Sequence, residues 1–159
     1  MRLVRLKLLL LVPLALAACG KPQTSAAPEA QKRWFVSAAN PYAVEAGAAI
    51  LSRGGSAVDA AVAVQAVLGL VEPQSSGLGG GAFLMVYDPA TRRLETYDGR
   101  ETAPASATPD RFLLPSGAPM PFLDAVVGGL SVGVPGVVRM LELAHAEHGS
   151  LPWAELWEP

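Results

Sequence analysis

The feature that most constrains this chain is an almost wholly apolar segment at residues 57–71. Its sequence, AVDAAVAVQAVLGLV, contains only Asp59 and Gln65 as polar residues. Ser56 precedes the segment and Asp59 follows three positions later, a spacing typical of the capping box at a helix N-terminus. A helix that is apolar on nearly every side is expected to be buried. The sequence therefore predicts a largely buried helix that ends before Pro73, with an inner stripe of Val58, Ala61, Val62, Gln65 and Leu68 or Gly69.

Further helices are predicted on either side of this segment. Asn40 and Pro41 suit the N-cap and first positions of a helix, and Gly54-Gly55 suits its end. Pro135 is predicted to open another helix that ends at Gly149, with Val138, Leu141 and Ala144 or His145 on one face. A fourth helix is predicted to begin within residues 150–153.

The remaining segments predict strands and loops. Residues 82–87 (AFLMVY) are apolar on both faces, which is typical of an interior strand. After a turn at residues 88–91, residues 93–97 are predicted to return as the more exposed strand of a hairpin. Proline is frequent in residues 102–124 and indicates an irregular loop. Short extended segments are predicted at residues 34–36, as an edge strand, and at 125–134, as a buried strand.

Composition excludes several function classes. The chain is 51% hydrophobic and 16% charged, so it is too apolar for a disordered tail. A formal net charge of −2 gives no basic surface for nucleic acid. A single cysteine excludes a disulfide scaffold and a cysteine-built zinc site.

The N-terminus is predicted to be a targeting segment. Residues 1–18 combine early basic residues with a short apolar run, as a signal peptide does. The residues LAAC at positions 16–19 resemble a bacterial lipobox, in which Cys19 becomes the lipid-attachment residue, and residues 19–33 read as a flexible tether. Gly20 in place of Asp predicts a protein anchored in the outer membrane, facing the periplasm of the bacterial cell envelope. An ordinary signal peptide with an incidental cysteine is the alternative.

Candidate sites differ in strength. The glycine-rich residues 77–81 lie between a helix and a strand, the wrong order for a phosphate loop, so they are interpreted as close backbone packing. His145 and His148 have a spacing that could hold a metal, but no third ligand is evident, which favours a solvated helix face; no metal site is predicted.

Arg100 follows a strand end and could hold a carboxylate through its two-pronged guanidinium. The local sequence alone favours a surface residue paired with Asp98 or Glu101.

Several motifs, taken together and in order, resemble the start of a gamma-glutamyltransferase. A match of several motifs in fixed order is more specific than any one of them. It extends over roughly residues 34–159, predicted here to be the N-terminal portion of the large-subunit domain. The matching stretches are residues 40–73 (NPYAVEAGAAILSRGGSAVDAAVAVQAVLGLVEP), 77–87 (GLGGGAFLMVY), 98–104 (DGRETAP), 132–136 (VGVPG) and 145–156 (HAEHGSLPWAEL).

This resemblance implies an α+β fold, namely an incomplete αββα sandwich of the N-terminal-nucleophile hydrolases. Family members cut themselves into a large and a small subunit. The new N-terminal Thr then takes a gamma-glutamyl group from glutathione or another gamma-glutamyl compound as an acyl-enzyme. No cofactor or metal is implied. The resemblance assigns binding of the substrate's α-carboxylate to Arg100, with Glu101 bracing it.

The chain departs from the family in ending before the nucleophile region. No catalytic residue is therefore predicted within it, and it is expected to be inactive without the missing C-terminal region or small subunit. Two alternatives stay open. One is a non-catalytic, lipid-anchored binding or vestigial lipoprotein, and the other is a fragment of a related cephalosporin-type acylase.

Overall fold

The computed structural model describes residues 34–159. The signal peptide at 1–18, Cys19 and the tether at 19–33 lie outside the described residues, so those predictions stay predictions. In chain order the elements are α1 (Pro41–Ser52), α2 (Ala57–Val71), β1 (Ala82–Asp88), β2 (Arg93–Gly99), α3 (Phe122–Val126), a 3-10 helix (Gly129–Ser131), α4 (Val137–His148) and a second 3-10 helix (Trp153–Trp157).

Helix α1 begins as the sequence predicts, and its N-cap is hydrogen-bonded to the end of α2. The Asn40 side-chain oxygen accepts a hydrogen bond from the Tyr42 backbone N–H at 3.1 Å, and Pro41 occupies the first turn. The Asn40 amide also donates to Glu72 Oε1 at 3.1 Å. This bond and a second one from Gln74 hold the pKa of Glu72 below its usual range. One residue thus caps the first helix and joins it to the C-cap of the second.

Asp59 is the fully buried polar residue of the described core, and it connects two separate segments. The capping box is confirmed, because Asp59 Oδ2 accepts from Ser56 N at 2.8 Å and Asp59 N donates to Ser56 Oγ at 3.0 Å. The same Oδ2 also accepts from the backbone N–H groups of Ser150 and Leu151, at 2.9 and 3.1 Å. The carboxylate therefore fixes the start of α2 against the loop that follows α4.

Burial of α2 is less even than its composition predicts. Val58, Ala60, Val62 and Ala63 in its first half are buried, whereas Leu70 near its end is 82% exposed. The predicted stripe is right for Val58 and Val62, but Ala60 and Ala63 are buried in addition. An all-apolar helix gives no periodic signal to tell its inner side from its outer side, so only the packed structure decides which residues are covered.

The hairpin has the predicted strands and turn, in a register that runs from Ala82 opposite Gly99 to Asp88 opposite Arg93. One face of β1, formed by Ala82, Leu84 and Val86, packs against the core. The prediction that β1 is buried on both faces is wrong for the described residues: Phe83, Met85 and Tyr87 are 67%, 68% and 59% exposed. No element within residues 34–159 covers their side of the sheet.

Two other extended segments were predicted wrongly. Residues 34–36 form no strand in the structure. Residues 125–134 are not a buried strand, because they comprise the end of α3, the first 3-10 helix and a single bridge between Val134 and Thr102. Gly128 adopts a φ of +114°, which interrupts any extended run, and the apolar residues Val127 and Val132 are exposed. Apolar composition alone does not distinguish a strand from such a segment.

Helix α4 completes the core by packing against both α2 and the core face of the hairpin. Val137, Met140, Leu141 and Ala144 are buried, so Leu141 and Ala144 were predicted correctly, whereas Val138 is half exposed. The fourth predicted helix is the 3-10 helix Trp153–Trp157, whose Leu156 is fully buried. No helix among residues 34–159 is both long and apolar enough to cross a bilayer.

Replacing Asp59 is expected to test its double role. Asp59→Ala should lower the free energy of unfolding by about 3 kcal/mol, because it removes a helix cap and leaves the half-buried backbone N–H groups at residues 150 and 151 without an acceptor. Ser56→Ala removes only the capping contact and should lower it by about 1 kcal/mol. Urea unfolding followed by circular dichroism measures both. Equal losses for the two variants would contradict the link to residues 150–151.

Candidate functional site

Arg100 lies directly after β2, where the chain leaves the sheet. Its backbone N–H donates to Asp98 Oδ1 at 2.9 Å, which shapes this exit. A bridge then fixes the following segment, since Val134 N donates to Thr102 O at 2.8 Å. The backbone of Arg100 is therefore held from both sides while its side chain stays 73% exposed.

The contact of the Arg100 guanidinium is the neighbouring carboxylate. Its Nε lies 3.8 Å from Glu101 Oε2, and Glu101 is less exposed, at 38%. Of the two surface partners considered from the sequence, Asp98 contacts only the backbone of Arg100, whereas Glu101 contacts its guanidinium. An exposed pair at this distance binds weakly, so the donors of Arg100 remain available to a ligand.

Arg100 and Glu101 border an open groove of about 510 Å³. A second arginine, Arg111, lies in the same groove and was not singled out from the sequence. Its Nε donates to the Leu130 carbonyl at 2.7 Å, which ties the proline-rich loop to the first 3-10 helix. No periodic pattern marks Arg111. Its only signal is a second cation within the loop that follows Arg100. The lining includes Arg100, Glu101, Thr108, Arg111, Ser131 and Gly133.

The glycine-rich residues 77–81 hold the backbone that supports this site. The Gly80 carbonyl accepts hydrogen bonds from the N–H groups of Gly136 and Val137, at 3.1 and 3.2 Å, where α4 begins. A Cβ on Gly81 would lie 2.5 Å from Glu101 Oε2 and 2.8 Å from the Gly99 carbonyl. These contacts support the interpretation of the loop as close backbone packing. They also make Gly81 the residue against which the Glu101 carboxylate rests.

The two histidines of α4 do not share a site. His145 Nε2 lies 2.9 Å from the Leu151 carbonyl and 3.5 Å from buried Asp59 Oδ1. His148 Nε2 instead lies 2.7 Å from Glu95 Oε2 on β2. Their side chains are only 17% and 28% exposed, so the interpretation of this face as solvated is wrong. The spacing along α4 was visible in the sequence, but the facing residue of β2 was not.

Comparisons with known proteins agree with the order of motifs. The family described as gamma-glutamyltranspeptidase matches residues 43–159. The glutathione hydrolase proenzyme of Bacillus subtilis (strain 168) is 47% identical over 128 residues, which cover 80% of this chain and 22% of that protein. The chain thus spans about a fifth of the length of this relative.

Solved structures give the same result for the fold. The gamma-glutamyltranspeptidase from Pseudomonas nitroreducens, solved as a complex with L-DON, matches with a TM-score of 0.73 and 38% identity, covering 79% of this chain and 36% of that one. The cephalosporin acylase from Bacillus halodurans matches with a TM-score of 0.62 and 30% identity, covering 85% of this chain and 26% of that one. The prediction of an incomplete α+β sandwich of the N-terminal-nucleophile hydrolases is confirmed.

Gly81→Ala is expected to disturb the support of Glu101. The added Cβ meets the carboxylate and a backbone carbonyl, so the free energy of unfolding should fall by about 1–3 kcal/mol. Gly79→Ala is the matched control: within residues 34–159 nothing lies within 4 Å of its Cβ, and the change should stay within about 0.5 kcal/mol. Urea unfolding of both variants provides the measurement. A larger loss for Gly79→Ala than for Gly81→Ala would refute the assignment.

Proposed function

Because this chain belongs to the gamma-glutamyltranspeptidase family, we propose that it forms the N-terminal part of the large subunit of a glutathione hydrolase or gamma-glutamyltransferase. Within it, Arg100 binds the α-carboxylate of the gamma-glutamyl group. The observation that carries this proposal is the placement of Arg100, whose exposed side chain borders a groove while its backbone is fixed at the end of β2.

The chemistry of Arg100 suits this role. A guanidinium presents donors in a planar fork that matches a carboxylate, and a fixed fork orients the substrate as well as binding it. Glu101, at 3.8 Å, restrains the guanidinium without covering it. Arg111 adds a second positive charge to the groove, so the local field favours an anionic ligand.

Turnover in this proposal requires residues outside the chain. A Thr hydroxyl attacks the γ-amide carbonyl, the amine leaves with the proton, and water or an acceptor amino acid then releases the acyl group. We propose no threonine within residues 34–159 as the source of that hydroxyl. Thr91, for example, donates to Asp88 Oδ2 within the hairpin turn. We therefore assign this chain a substrate-binding role and expect it to be inactive alone.

The exposed face of β1 fits the same proposal. Phe83, Met85 and Tyr87 form a row of large side chains on one side of the hairpin. In a sandwich fold the second sheet layer packs on such a face. The remainder of the precursor is our proposed cover for it.

Two other functions have distinct expectations. A vestigial or purely binding lipoprotein would keep the fold without turnover in the complete gene product. A cephalosporin-type acylase is favoured by the structural similarity to the Bacillus halodurans enzyme, which bears that name. Arg100 supports the gamma-glutamyl substrate over that alternative, because an amino-acid carboxylate suits its guanidinium.

Localisation is part of the proposal and depends on the sequence of residues 1–19. We propose that Cys19 carries the lipid and anchors the protein in the outer membrane, facing the periplasm. Several acyl chains on one residue give stable attachment, since each buried methylene contributes about 0.8 kcal/mol.

Arg100→Ala in the complete gene product should lower kcat/KM for a gamma-glutamyl amide about 10- to 100-fold, the value of hydrogen bonds to a charged group. The matched amide that lacks the α-carboxylate should react equally with both proteins. Arg139→Ala, which removes an exposed cation on α4, is the control and should leave both rates unchanged.

Three outcomes would contradict the proposal in different ways. Equal rates for wild type and Arg100→Ala on the gamma-glutamyl amide would exclude the carboxylate role. Absence of turnover by the complete gene product, together with no glutamate binding to this chain, would favour the vestigial lipoprotein. Turnover of a cephalosporin amide alone would favour the acylase.

Cys19→Ser should move the protein from the membrane fraction to the soluble periplasmic fraction, because no acyl chains can be attached. Immunoblotting of fractionated cells measures the distribution. Gly20→Ala, at the neighbouring position, should leave membrane association intact. A Cys19→Ser protein that stays in the membrane fraction would disprove the lipobox interpretation.

A further inference from the structure

A second group of titratable side chains lies between β2 and the end of α4, and none of its members lines the Arg100 groove. Glu95 and Tyr97 are two positions apart on β2 and therefore share a face. Glu147 and His148 are the last two residues of α4. The ligating atoms of Glu95, Glu147 and His148 all lie within 4.8 Å of one another.

Three potential ligand atoms of this cluster lie around a single hydroxyl group. The Tyr97 hydroxyl, which carries one proton, contacts Glu147 Oε2 at 2.6 Å, His148 Nε2 at 2.9 Å and Glu95 Oε2 at 3.3 Å. His148 Nε2 contacts Glu95 Oε2 at 2.7 Å and Glu147 Oε2 at 4.0 Å. Arg93 Nη2 also pairs with Glu95 Oε1 at 3.0 Å, so Arg93 and His148 are the cationic side chains that face the two carboxylates. The cluster also lies at a helix C-terminus, whose partial negative charge favours a cation.

We propose that Glu95, Glu147 and His148 form a binding site for a divalent transition-metal ion, of which Zn²⁺ is the best match. One imidazole nitrogen and two carboxylate oxygens are a donor set that Zn²⁺ accepts, and the imidazole disfavours Ca²⁺ and Mg²⁺. Tetrahedral Zn²⁺ bonds of about 2.0–2.2 Å put neighbouring donors about 3.4 Å apart. The distances from His148 Nε2 to the two carboxylates, 2.7 and 4.0 Å, lie on either side of that value.

Tyr97 has a supporting role in this site. The Tyr97 hydroxyl donates to Glu147 Oε2 at 2.6 Å and thereby orients this carboxylate. A partner that orients a ligand in this way typically contributes about 10- to 100-fold to metal affinity. The bound ion would link β2 to the end of α4, and this inference does not depend on the proposed enzymatic function.

Isothermal titration calorimetry of the full chain with ZnCl₂ tests the site, in a Cys19→Ser background so that the thiol does not contribute. Binding of one Zn²⁺ is expected, with a melting temperature that rises with free Zn²⁺. His148→Gln and Glu147→Gln should each weaken binding at least about tenfold, because a ligand contributes no less than an orienting partner. The Glu147 side chain is half exposed, so this variant is expected to fold.

The controls separate this site from general charge effects. Glu142→Gln makes the same charge change on the exposed side of α4 and should leave Zn²⁺ affinity unchanged. X-ray absorption of the Zn²⁺ complex should detect only nitrogen and oxygen neighbours, including one imidazole. Absence of saturable Zn²⁺ binding, or binding that is equally strong in wild type, His148→Gln and Glu147→Gln, would overturn the proposal.

Discussion

Asp59 is the residue on which the described core depends most directly. A carboxylate without solvent contact needs hydrogen-bond donors around it, and Oδ2 here accepts hydrogen bonds from the backbone N–H groups of Ser56, Ser150 and Leu151. The other oxygen lies 3.5 Å from His145 Nε2 and makes no hydrogen bond. Because the partners are backbone groups distant in sequence, the carboxylate fixes where the chain returns after α4. The position of the end of α4, which packs against the hairpin, is therefore linked to Asp59.

Glycines position the Arg100 site relative to this core. The Gly80 carbonyl receives the first N–H groups of α4, and Gly81 allows Glu101 to lie against the loop. Gly99 is equally constrained, since a Cβ there would lie 2.6 Å from Met140 Cβ. Close backbone approach, together with the Asp98 carboxylate that accepts from Arg100 N, therefore sets the exit of β2. The Arg100 side chain is exposed while its backbone is fixed, an arrangement suited to the proposed binding of a substrate carboxylate.

We relate the exposed sheet face and the open groove to the proposed role of this chain as part of a larger precursor. The chain spans about a fifth of the length of the Bacillus subtilis proenzyme, and its structure matches about a third of the Pseudomonas nitroreducens chain. A face of large apolar side chains is typical of a layer that packs on another layer. The proposed metal site between β2 and α4 consists of different residues, so it can be tested separately from the proposed enzymatic function.

The sequence by itself determined the local elements. The caps at Asn40 and Ser56 and the turn at Asp88 are short-range signals, and each lies where it was predicted. Only the tertiary structure decided which apolar residues are buried and that residues 125–134 do not form a strand. It also decided that Asp59 accepts hydrogen bonds from the backbone of residues 150–151. It also brought Glu95 to His148 and Arg111 to Arg100. Capping and turn formation use neighbours within a few residues, whereas burial and side-chain clusters depend on contacts between residues far apart in the chain.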